Sequence, residues 1–600
     1  MKKITVLLLA LLCTSMLIAQ SKFAKVPLQM VPANAIKNQL TPSQPGNVTA
    51  NSKATLEDII GNTWYDMQTN GAIDPRLTVY PDGSMAGVWI RGTTNSNDRG
   101  TGYNYYNGTT WAPEPTARIE NDRTGWPSYA PLGPTGEIVI AHLNDGLKIS
   151  SRTIKGQGTW NQSVFMGPTG ATDISWPRII TNGTNHNSIH MLATTYVTYQ
   201  GLTPYALLYY RSLDAGQTWD KLHVILPQLT SADYDGFNGD EYAWGTPHGD
   251  TIYFAVSGPW LDTFIMQSND NGNTWNKIPV LSNANKKLPA GTTEVLPFAS
   301  SDGAVAVEMD NSGVFHVAFG IGGGSMTGGT KYITINANGL VYWNSTMPMV
   351  KDSLDLDTLE AHGQLLGAVY NGPNPGDTIV AAPSYRVGLS SFPQISVDNY
   401  NNLYFLWSAV TPGNPSPDPF NYRHIWGRAK FHDKSVMTDM TDLNGGVMYL
   451  FNEFVYPTMA KRILNDKLEV IYQSAPEPGS NIVDATIAAH ECKIEHRQIP
   501  GSTFWPTGIS NPTEQKNQVG QNYPNPVKGL TSFNVNLTKS SSVIVEVSNL
   551  MGQKLMTFDK GICQSGSQKF TIDASSFSSG IYFYTVKIDG ESYTHKMIVE

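Results

Sequence analysis

The chain has 600 residues, which is long enough for more than one domain. Its net charge is −9 and its charges form no long run of one sign, so it has no basic stripe to neutralise phosphates and nucleic acid is excluded as a partner. Three cysteines exclude a disulfide framework, while 55 glycines and 37 prolines with little helical periodicity favour an all-β chain of short strands.

The first 55 residues have the composition of export and spacer sequence. Residues 1–19 join a basic start to a short apolar run, which predicts a cleaved secretory signal peptide. Residues 20–55 are rich in Pro, Asn, Gln and Ser and predict a flexible leader. No later stretch is long and apolar enough to predict a transmembrane helix.

One unit recurs between residues 56 and 505. It begins with a proline at the entry to a strand, crosses a polar turn and continues in a second alternating strand, as in 75–89 and 393–407. Most of the units end at a tryptophan. Counting the starts predicts seven units, with six as the alternative if one unit has been counted as two. Radial repetition of small sheets leaves only short protected edges, which suits a large all-β protein without disulfides.

Two eight-residue segments in this region share the pattern S-x-D-x-G-x-T-W and begin 56 residues apart. Their defining residues are Ser212, Asp214, Gly216 and Trp219, and Ser268, Asp270, Gly272 and Trp275. The Asp carboxylate can accept backbone N–H groups across a tight turn, Gly supplies a positive φ, and Trp packs beneath the turn. We therefore interpret both segments as structural turns. The pattern resembles the Asp box of the sialidase superfamily, also called the BNR repeat, which implies a multi-bladed β-propeller over residues 56–505.

The same resemblance implies a chemistry that can be compared with the chain. Sialidases clamp a substrate carboxylate with three arginines and use a Tyr nucleophile, helped by a Glu, with an Asp as acid/base. The candidates here are Arg76 and Arg178 at strand starts, and Arg386 beside Tyr385 in a loop. Arg76 follows Pro75, whereas the family motif places its arginine two residues before the proline. An arginine at a repeated position also suits hydrogen bonding between blades.

Three functions stay open at this point. The incomplete catalytic set favours a non-catalytic propeller that binds a glycan or a surface protein. The alternative is an exo-acting glycoside hydrolase of the sialidase superfamily. The third is a purely structural surface-layer component, which the sequence does not separate from the first.

The segment 233–241 concentrates oxygen-bearing side chains. Asp233, Asp235, Asn238 and Asp240 are candidate Ca²⁺ ligands, because this cation takes carboxylate and carbonyl oxygens in loops. The competing interpretation, which we favour, is a solvated turn whose Asp and Asn side chains bond their own backbone. No cofactor is therefore predicted, and Ca²⁺ is the alternative.

Residues 344–391 form the longest connection between units and include a helix candidate at 351–362. Long loops on a rigid scaffold often carry recognition. If the chain has a ligand site, it is expected where this insertion meets the strand starts that carry Arg76 and Arg178. The alternative is a disordered or decorative surface loop.

The sequence character changes near the C-terminus. Residues 506–520 are predicted to be a linker, and 521–600 contain short alternating strands. The segments 522–526 (NYPNP), 548–553 (SNLMGQ) and 580–584 (GIYFY) resemble the C-terminal sorting domain of the type IX secretion system of Bacteroidetes. The resemblance implies a small immunoglobulin-like β-sandwich, recognition by the type IX machinery, and a secreted or outer-membrane cell-surface location.

Overall fold

The computed structural model describes residues 24, 28–32, 57–73, 75–94, 98–371, 379–416, 420–449, 451–505 and 517–600. The predicted signal peptide 1–19, most of the leader and most of the linker lie outside the described residues. The described chain divides into two compact units, with the main boundary after Trp505.

Seven sheets make up the described part of the first unit, and we number them in chain order. Sheet 1 contains Leu77–Val79, Met85–Gly92 and Arg99–Tyr106. Sheet 2 contains Gly125–Leu132, Gly136–His142, Leu147–Arg152 and Asn161–Phe165. Sheet 3 contains Ile174–Asn182, Ser188–Thr195, Leu207–Ser212 and Lys221–Val224. Sheet 4 contains Tyr242–Trp244, Ile252–Val256, Thr263–Ser268 and Asn276–Leu281.

Of the remaining three sheets, sheets 5 and 7 each include one strand from a distant part of the chain. Sheet 5 contains Val295–Met309, Phe315–Thr327, Thr330–Ile335, Leu340–Asn344 and Leu365–Gly367, together with Gln29–Pro32. Sheet 6 contains Ser390–Val397, Leu403–Pro415, Asn421–Lys430 and Thr441–Asp442. Sheet 7 contains Glu453–Met459, Lys467–Ala475 and Cys492–Pro500, together with Asp58–Thr63. Short 3₁₀ turns occupy Val447–Tyr449 and Gly501–Phe504.

The seven sheets form a closed ring. The first strand of each sheet packs against the sheet before it, from Gly125–Leu132 against sheet 1 to Glu453–Met459 against sheet 6. The series closes because Leu77–Val79 contacts Lys467–Ala475 of sheet 7. A ring of small antiparallel sheets around a common centre is a β-propeller, so the predicted fold class is confirmed. The described part of this unit contains seven such sheets, and the blade number of seven, or six, counted in the sequence stays a prediction.

An N-terminal strand completes the last sheet. Asp58–Thr63 pairs antiparallel with Cys492–Pro500, so both ends of the propeller segment meet in sheet 7. Trp89 of sheet 1 packs against this strand, and its indole N–H donates to the Asn62 carbonyl at 3.1 Å. A Cβ at Gly61 would overlap the Trp89 ring, so glycine is required for this approach. The closing strand therefore joins sheets 7 and 1.

The proline at the start of several units has a specific geometry. In sheets 2, 3, 6 and 7 the first strand contains a bulge, and an aromatic residue with positive φ immediately precedes the proline. These residues are Trp126, Trp176, Phe392 and Tyr456, with φ of 51°, 52°, 58° and 58°. All four side chains are buried. The bulge turns one aromatic ring per sheet into the core, where burial offsets the unfavourable backbone conformation.

The predicted flexible leader and linker each need a correction. Within the leader, Gln29–Pro32 forms a strand that pairs with Thr330–Ile335, because the outer edge of that strand offers unpaired backbone groups. At the other end, Gln518–Val519 lies in the predicted linker but pairs with Leu530–Leu537 of the C-terminal unit.

The described part of the insertion 344–391 contains one short helix, which lies between the strands Leu340–Asn344 and Leu365–Gly367 of sheet 5. Leu356–Ala361 is capped by Asp355, whose carboxylate accepts the N–H of Thr358, and Leu359 is buried. The helix predicted at 351–362 is confirmed but is shorter than expected.

The C-terminal unit is a β-sandwich. One sheet contains Gln518–Val519, Leu530–Leu537 and Gly566–Asp573, and the other contains Ser541–Asn549, Lys554–Cys563, Gly580–Ile588 and Glu591–Val599. Alternate residues of the two sheets form a single core that includes Phe533, Val545 and Tyr584. The N-Y-P-N-P segment is tied to the last strand, because the Asn525 side chain accepts the N–H of Ile598 at 2.7 Å.

Candidate functional site

The centre of the ring is occupied by protein. Residues 66–73, which we call the axial segment, connect the closing strand of sheet 7 to sheet 1. The Ala72 N–H donates to the Asp240 carbonyl before sheet 4, and Gly71 lies against the backbone of Gly303 in sheet 5. Ile73 packs in one cluster with Phe392 of sheet 6 and residues of sheet 7. The axial segment therefore lies near the centre of the ring, in contact with residues at or beside the first strands of sheets 4 to 7.

Arg178 is bound to this segment and to a carboxylate. Its guanidinium donates to Asp240 Oδ1 at 2.5 Å and to the Ala72 carbonyl at 3.1 Å. Both side chains of the ion pair are fully buried. The other oxygen of Asp240 accepts the backbone N–H of Asn70 at 3.0 Å and the hydroxyl of Thr69 at 3.2 Å. Arg178 thus anchors the axial segment between sheets 3 and 4.

Arg76 and Arg386 have different surroundings. Arg76 is buried, and its guanidinium donates to the side chain and the carbonyl of Gln68 in the axial segment. Arg386 is half-buried with a φ of 62°, and burial lowers its pKa. In the contacts described above, Arg178 binds Asp240 whereas Arg76 binds Gln68.

Tyr385 lies in a group that sequence reasoning missed. Its ring centroid is 5.4 Å from Arg423 Cζ and 5.8 Å from the ring centroid of Tyr456. The Arg423 backbone N–H donates to Glu453 Oε2 at 2.5 Å, and its guanidinium donates to the Gly388 carbonyl at 2.8 Å. Arg423 and Glu453 lie in ordinary strand sequence, so no motif marked them.

The electrostatics of this group keep its acids protonated. Burial raises the pKa of Tyr385 well above its usual value, and the neighbouring Glu453 raises it further. Burial also raises the pKa of Glu453 to about 8. A tyrosine acts as a nucleophile only after its proton is removed, so a raised pKa opposes that role.

A loop covers the same end of the ring. Residues 476–491, which we call the capping loop, connect two strands of sheet 7. The buried carboxylate of Asp66 accepts the Ser480 hydroxyl and the Asn481 N–H, both at 2.6 Å. The Tyr385 hydroxyl donates to the Gly479 carbonyl at 3.0 Å, so the loop also covers the predicted nucleophile.

The two Asp-box segments are turns between the third and fourth strands of sheets 3 and 4. The Asp214 carboxylate accepts the backbone N–H of Thr218 at 2.8 Å and its hydroxyl at 2.6 Å, while Ser212 Oγ accepts the Gly216 N–H at 2.9 Å. The second segment repeats these bonds around Asp270, at 2.7 to 2.8 Å. The bonds to Asp270 lower its pKa to about 2, so it stays ionised at neutral pH.

The tryptophans of these turns pack between neighbouring sheets. The half-buried Trp219 lies 4.9 Å, centroid to centroid, from Phe165 of sheet 2, and Trp275 lies 5.1 Å from Tyr209 of sheet 3. Each indole therefore covers the preceding sheet as well as its own turn.

Each of the four candidate Ca²⁺ ligands forms a hydrogen bond or an ion pair with a different protein group. Asp233 accepts the Thr230 hydroxyl at 2.9 Å, Asn238 donates to Glu241, and Asp240 binds Arg178. Asp235 is bound by Lys331 at 3.0 Å. Within the described ranges, no group of three or more His, Cys, Asp or Glu side chains is arranged to hold a metal ion.

The C-terminal unit matches a known family. Residues 521–600 match the model described as a secretion system C-terminal sorting domain. The C-terminal unit is a type IX sorting domain. It marks the chain for secretion or attachment at the cell surface and implies contact with the type IX machinery. No helix in the described part of the chain is long and apolar enough to cross a membrane.

Solved structures with a similar arrangement have low identity to this chain. Polysaccharide lyase Uly1 has 8% identity and a TM-score of 0.37, covering 74% of this chain and 98% of that one. The intramolecular trans-sialidase of Ruminococcus gnavus has 10% identity, a TM-score of 0.35 and coverage of 75% and 98%. The sialidase of Trypanosoma rangeli has 11% identity and a TM-score of 0.35, covering 87% of this chain and 89% of that one. No curated protein sequence matches the chain. Values this low carry no inference about the reaction.

Proposed function

We propose that the protein is a secreted or surface-attached β-propeller that binds a glycan or a protein partner without catalysing a reaction. The observation that carries this proposal is the engagement of Arg178. A guanidinium that clamps a substrate carboxylate must present its N–H donors to that substrate. Arg178 is fully buried and directs its donors to Asp240 and Ala72 instead.

The state of Tyr385 also supports a non-catalytic role. Its hydroxyl donates to the capping loop, and its pKa is raised, mainly by burial. Attack on a glycosidic carbon would require both removal of that proton and access for a sugar. The closed surroundings of Tyr385 supply neither.

The second candidate is an exo-acting glycoside hydrolase of the sialidase superfamily. The observation that favours it is the grouping of Tyr385, Glu453 and Arg423, which are the residue types that retaining sialidases use. In this alternative the capping loop would have to leave Tyr385 before a substrate could enter.

A fluorogenic panel separates the two candidates. The full chain, Tyr385→Phe and Glu453→Gln would each be incubated with 4-methylumbelliferyl sialoside, arabinofuranoside and related glycosides. We expect no release above a protein-free blank. Release by the wild type that is lost in both variants would overturn the non-catalytic proposal, whereas equal release by all three preparations would indicate a contaminant.

A glycan array and a pull-down from outer-membrane extract would test the binding function itself. The proposal expects the propeller to retain at least one glycan or protein. Failure in both assays would refute it.

A further inference from the structure

A group of lysines from sheets 4 and 5 and the segment between them lies beside the loop that connects sheets 3 and 4. We define the lysine cluster as Lys277, Lys286, Lys287 and Lys331. Lys277 is in the fourth strand of sheet 4, Lys286 and Lys287 follow that strand, and Lys331 is in Thr330–Ile335 of sheet 5. The cluster surrounds the loop that the sequence presented as a candidate cation site.

Two lysines of the cluster, Lys277 and Lys286, form ion pairs with Asp262. The Asp262 carboxylate accepts Lys286 Nζ at 2.6 Å and Lys277 Nζ at 3.3 Å. The Tyr234 hydroxyl donates to the same carboxylate at 2.9 Å. The Lys277 side chain is 14% exposed, the lowest exposure of the four lysines, and burial lowers its pKa. Asp262 and Tyr234 thus fix the inner edge of the cluster.

The other two lysines, Lys287 and Lys331, form ion pairs with Asp235. Lys331 Nζ lies 3.0 Å from Asp235 Oδ2, and Lys287 Nζ lies 3.6 Å from Oδ1. Lys287 also donates to the Tyr234 carbonyl at 3.3 Å. Lys331 Nζ is 4.7 Å from the centroid of the buried Trp260 ring. These contacts hold two long side chains in defined positions on the surface.

The charges of this region are not balanced. Four ammonium groups face the carboxylates of Asp262, Asp235 and the nearby Asp233. Glu241 also interacts with Lys331, but burial raises the pKa of Glu241 to about 8, so it is mostly protonated and uncharged at neutral pH. This local excess of positive charge stands out in a chain whose net charge is −9. The side chains of Lys286, Lys287 and Lys331 remain 32%, 41% and 28% exposed. Since an ammonium group has three N–H donors, each of these lysines can bind a further acceptor from solvent.

We propose that the lysine cluster binds an anionic glycan through its carboxylate or sulfate groups. The inference rests on the proposed binding function and names the class of its ligand. Charge complementarity selects an anion, and the prepositioned ammonium groups bind it at a small entropic cost.

The test compares two matched variants of the full chain. The first, Lys286→Gln/Lys287→Gln/Lys331→Gln, removes the exposed lysines and keeps the more buried Lys277. The control, Lys351→Gln/Lys434→Gln/Lys493→Gln, removes three lysines outside the cluster, so the net charge is the same. Calorimetry would measure binding to polygalacturonate, chondroitin sulfate, neutral dextran and polyglutamate at two salt concentrations. Tryptophan fluorescence would check that both variants are folded.

We expect the wild type and the control to bind polygalacturonate or chondroitin sulfate, more weakly at the higher salt concentration. The cluster variant should bind at least about tenfold more weakly, because several charge-assisted hydrogen bonds are lost. Tighter binding of polygalacturonate would indicate that the site prefers a carboxylate group of the glycan, and tighter binding of chondroitin sulfate would indicate that it prefers a sulfate group. Equal binding by both variants, preference for dextran, or tighter binding of polyglutamate than of either glycan would overturn the inference. Binding of neutral glycans alone would do so while leaving the proposed binding function intact.

Discussion

Arg178→Met removes the positive charge from the ion pair that anchors the axial segment, while keeping most of the side-chain volume. Asp240 would then be left in the core with donors from Asn70 and Thr69 but without a cation. A carboxylate is much more costly to bury when its charge is uncompensated. The variant therefore tests whether Arg178 supports the centre of the ring or is held there for a ligand.

The expected magnitude follows from the burial of the pair. Both side chains are fully buried, and breaking such a pair by removing one partner costs about 3–5 kcal/mol. Removing both charges costs less, because no isolated charge remains. Arg178→Met/Asp240→Asn should accordingly be more stable than Arg178→Met alone.

Urea unfolding followed by tryptophan fluorescence is a suitable assay. All 14 tryptophans lie at or before Trp505, so the signal reports on the propeller unit and not on the sorting domain. Lys434→Met, which removes an exposed ion pair with Asp433, is the control and should leave the unfolding midpoint unchanged.

A free energy of unfolding for Arg178→Met within about 1 kcal/mol of the wild-type value would refute the reasoning, since a buried unpaired carboxylate should destabilise the fold by more than that. If that stable variant also lost binding to a carboxylated glycan, Arg178 would be a ligand contact and the proposed function would need revision.

Two further predictions use the same assay. Burial raises the pKa of Glu241 to about 8, above its unfolded value near 4.5, so the folded state holds a proton that the unfolded state releases. The free energy of unfolding should therefore fall as the pH rises from about 5 to 8, and Glu241→Gln should reduce this dependence. An unchanged pH profile in the variant would contradict the assignment. Gly61→Ala should lower the free energy of unfolding of the propeller by about 1–3 kcal/mol, because the added methyl group would overlap the Trp89 indole at the closing strand. An unfolding midpoint equal to that of the wild type would show that this strand can shift to make room.

Local sequence features predicted the fold well because their causes are local. The S-x-D-x-G-x-T-W pattern forms its turn through bonds among residues at most four positions apart, as Ser212, Asp214 and Thr218 do. The proline at the start of a unit marks a bulge within one strand, as at Trp176. The sorting domain likewise carries its motif within a short continuous segment.

The centre of the propeller could not be predicted in this way, because its partners are far apart in the chain. Arg178 meets Asp240 across 62 residues, and Asp66 meets the capping loop across more than 400. Nothing near Arg423 or Glu453 in the sequence indicates that ring closure brings them to Tyr385. The same holds for the lysine cluster, where Asp235 and Lys331 are 96 residues apart.

The sequence alone therefore determined the repeated all-β architecture, the turns and the export signal at the C-terminus, since each depends on contacts within a few residues. Only the tertiary structure decided which charged groups are buried, paired or exposed, because burial and pairing arise when distant strands close into a ring.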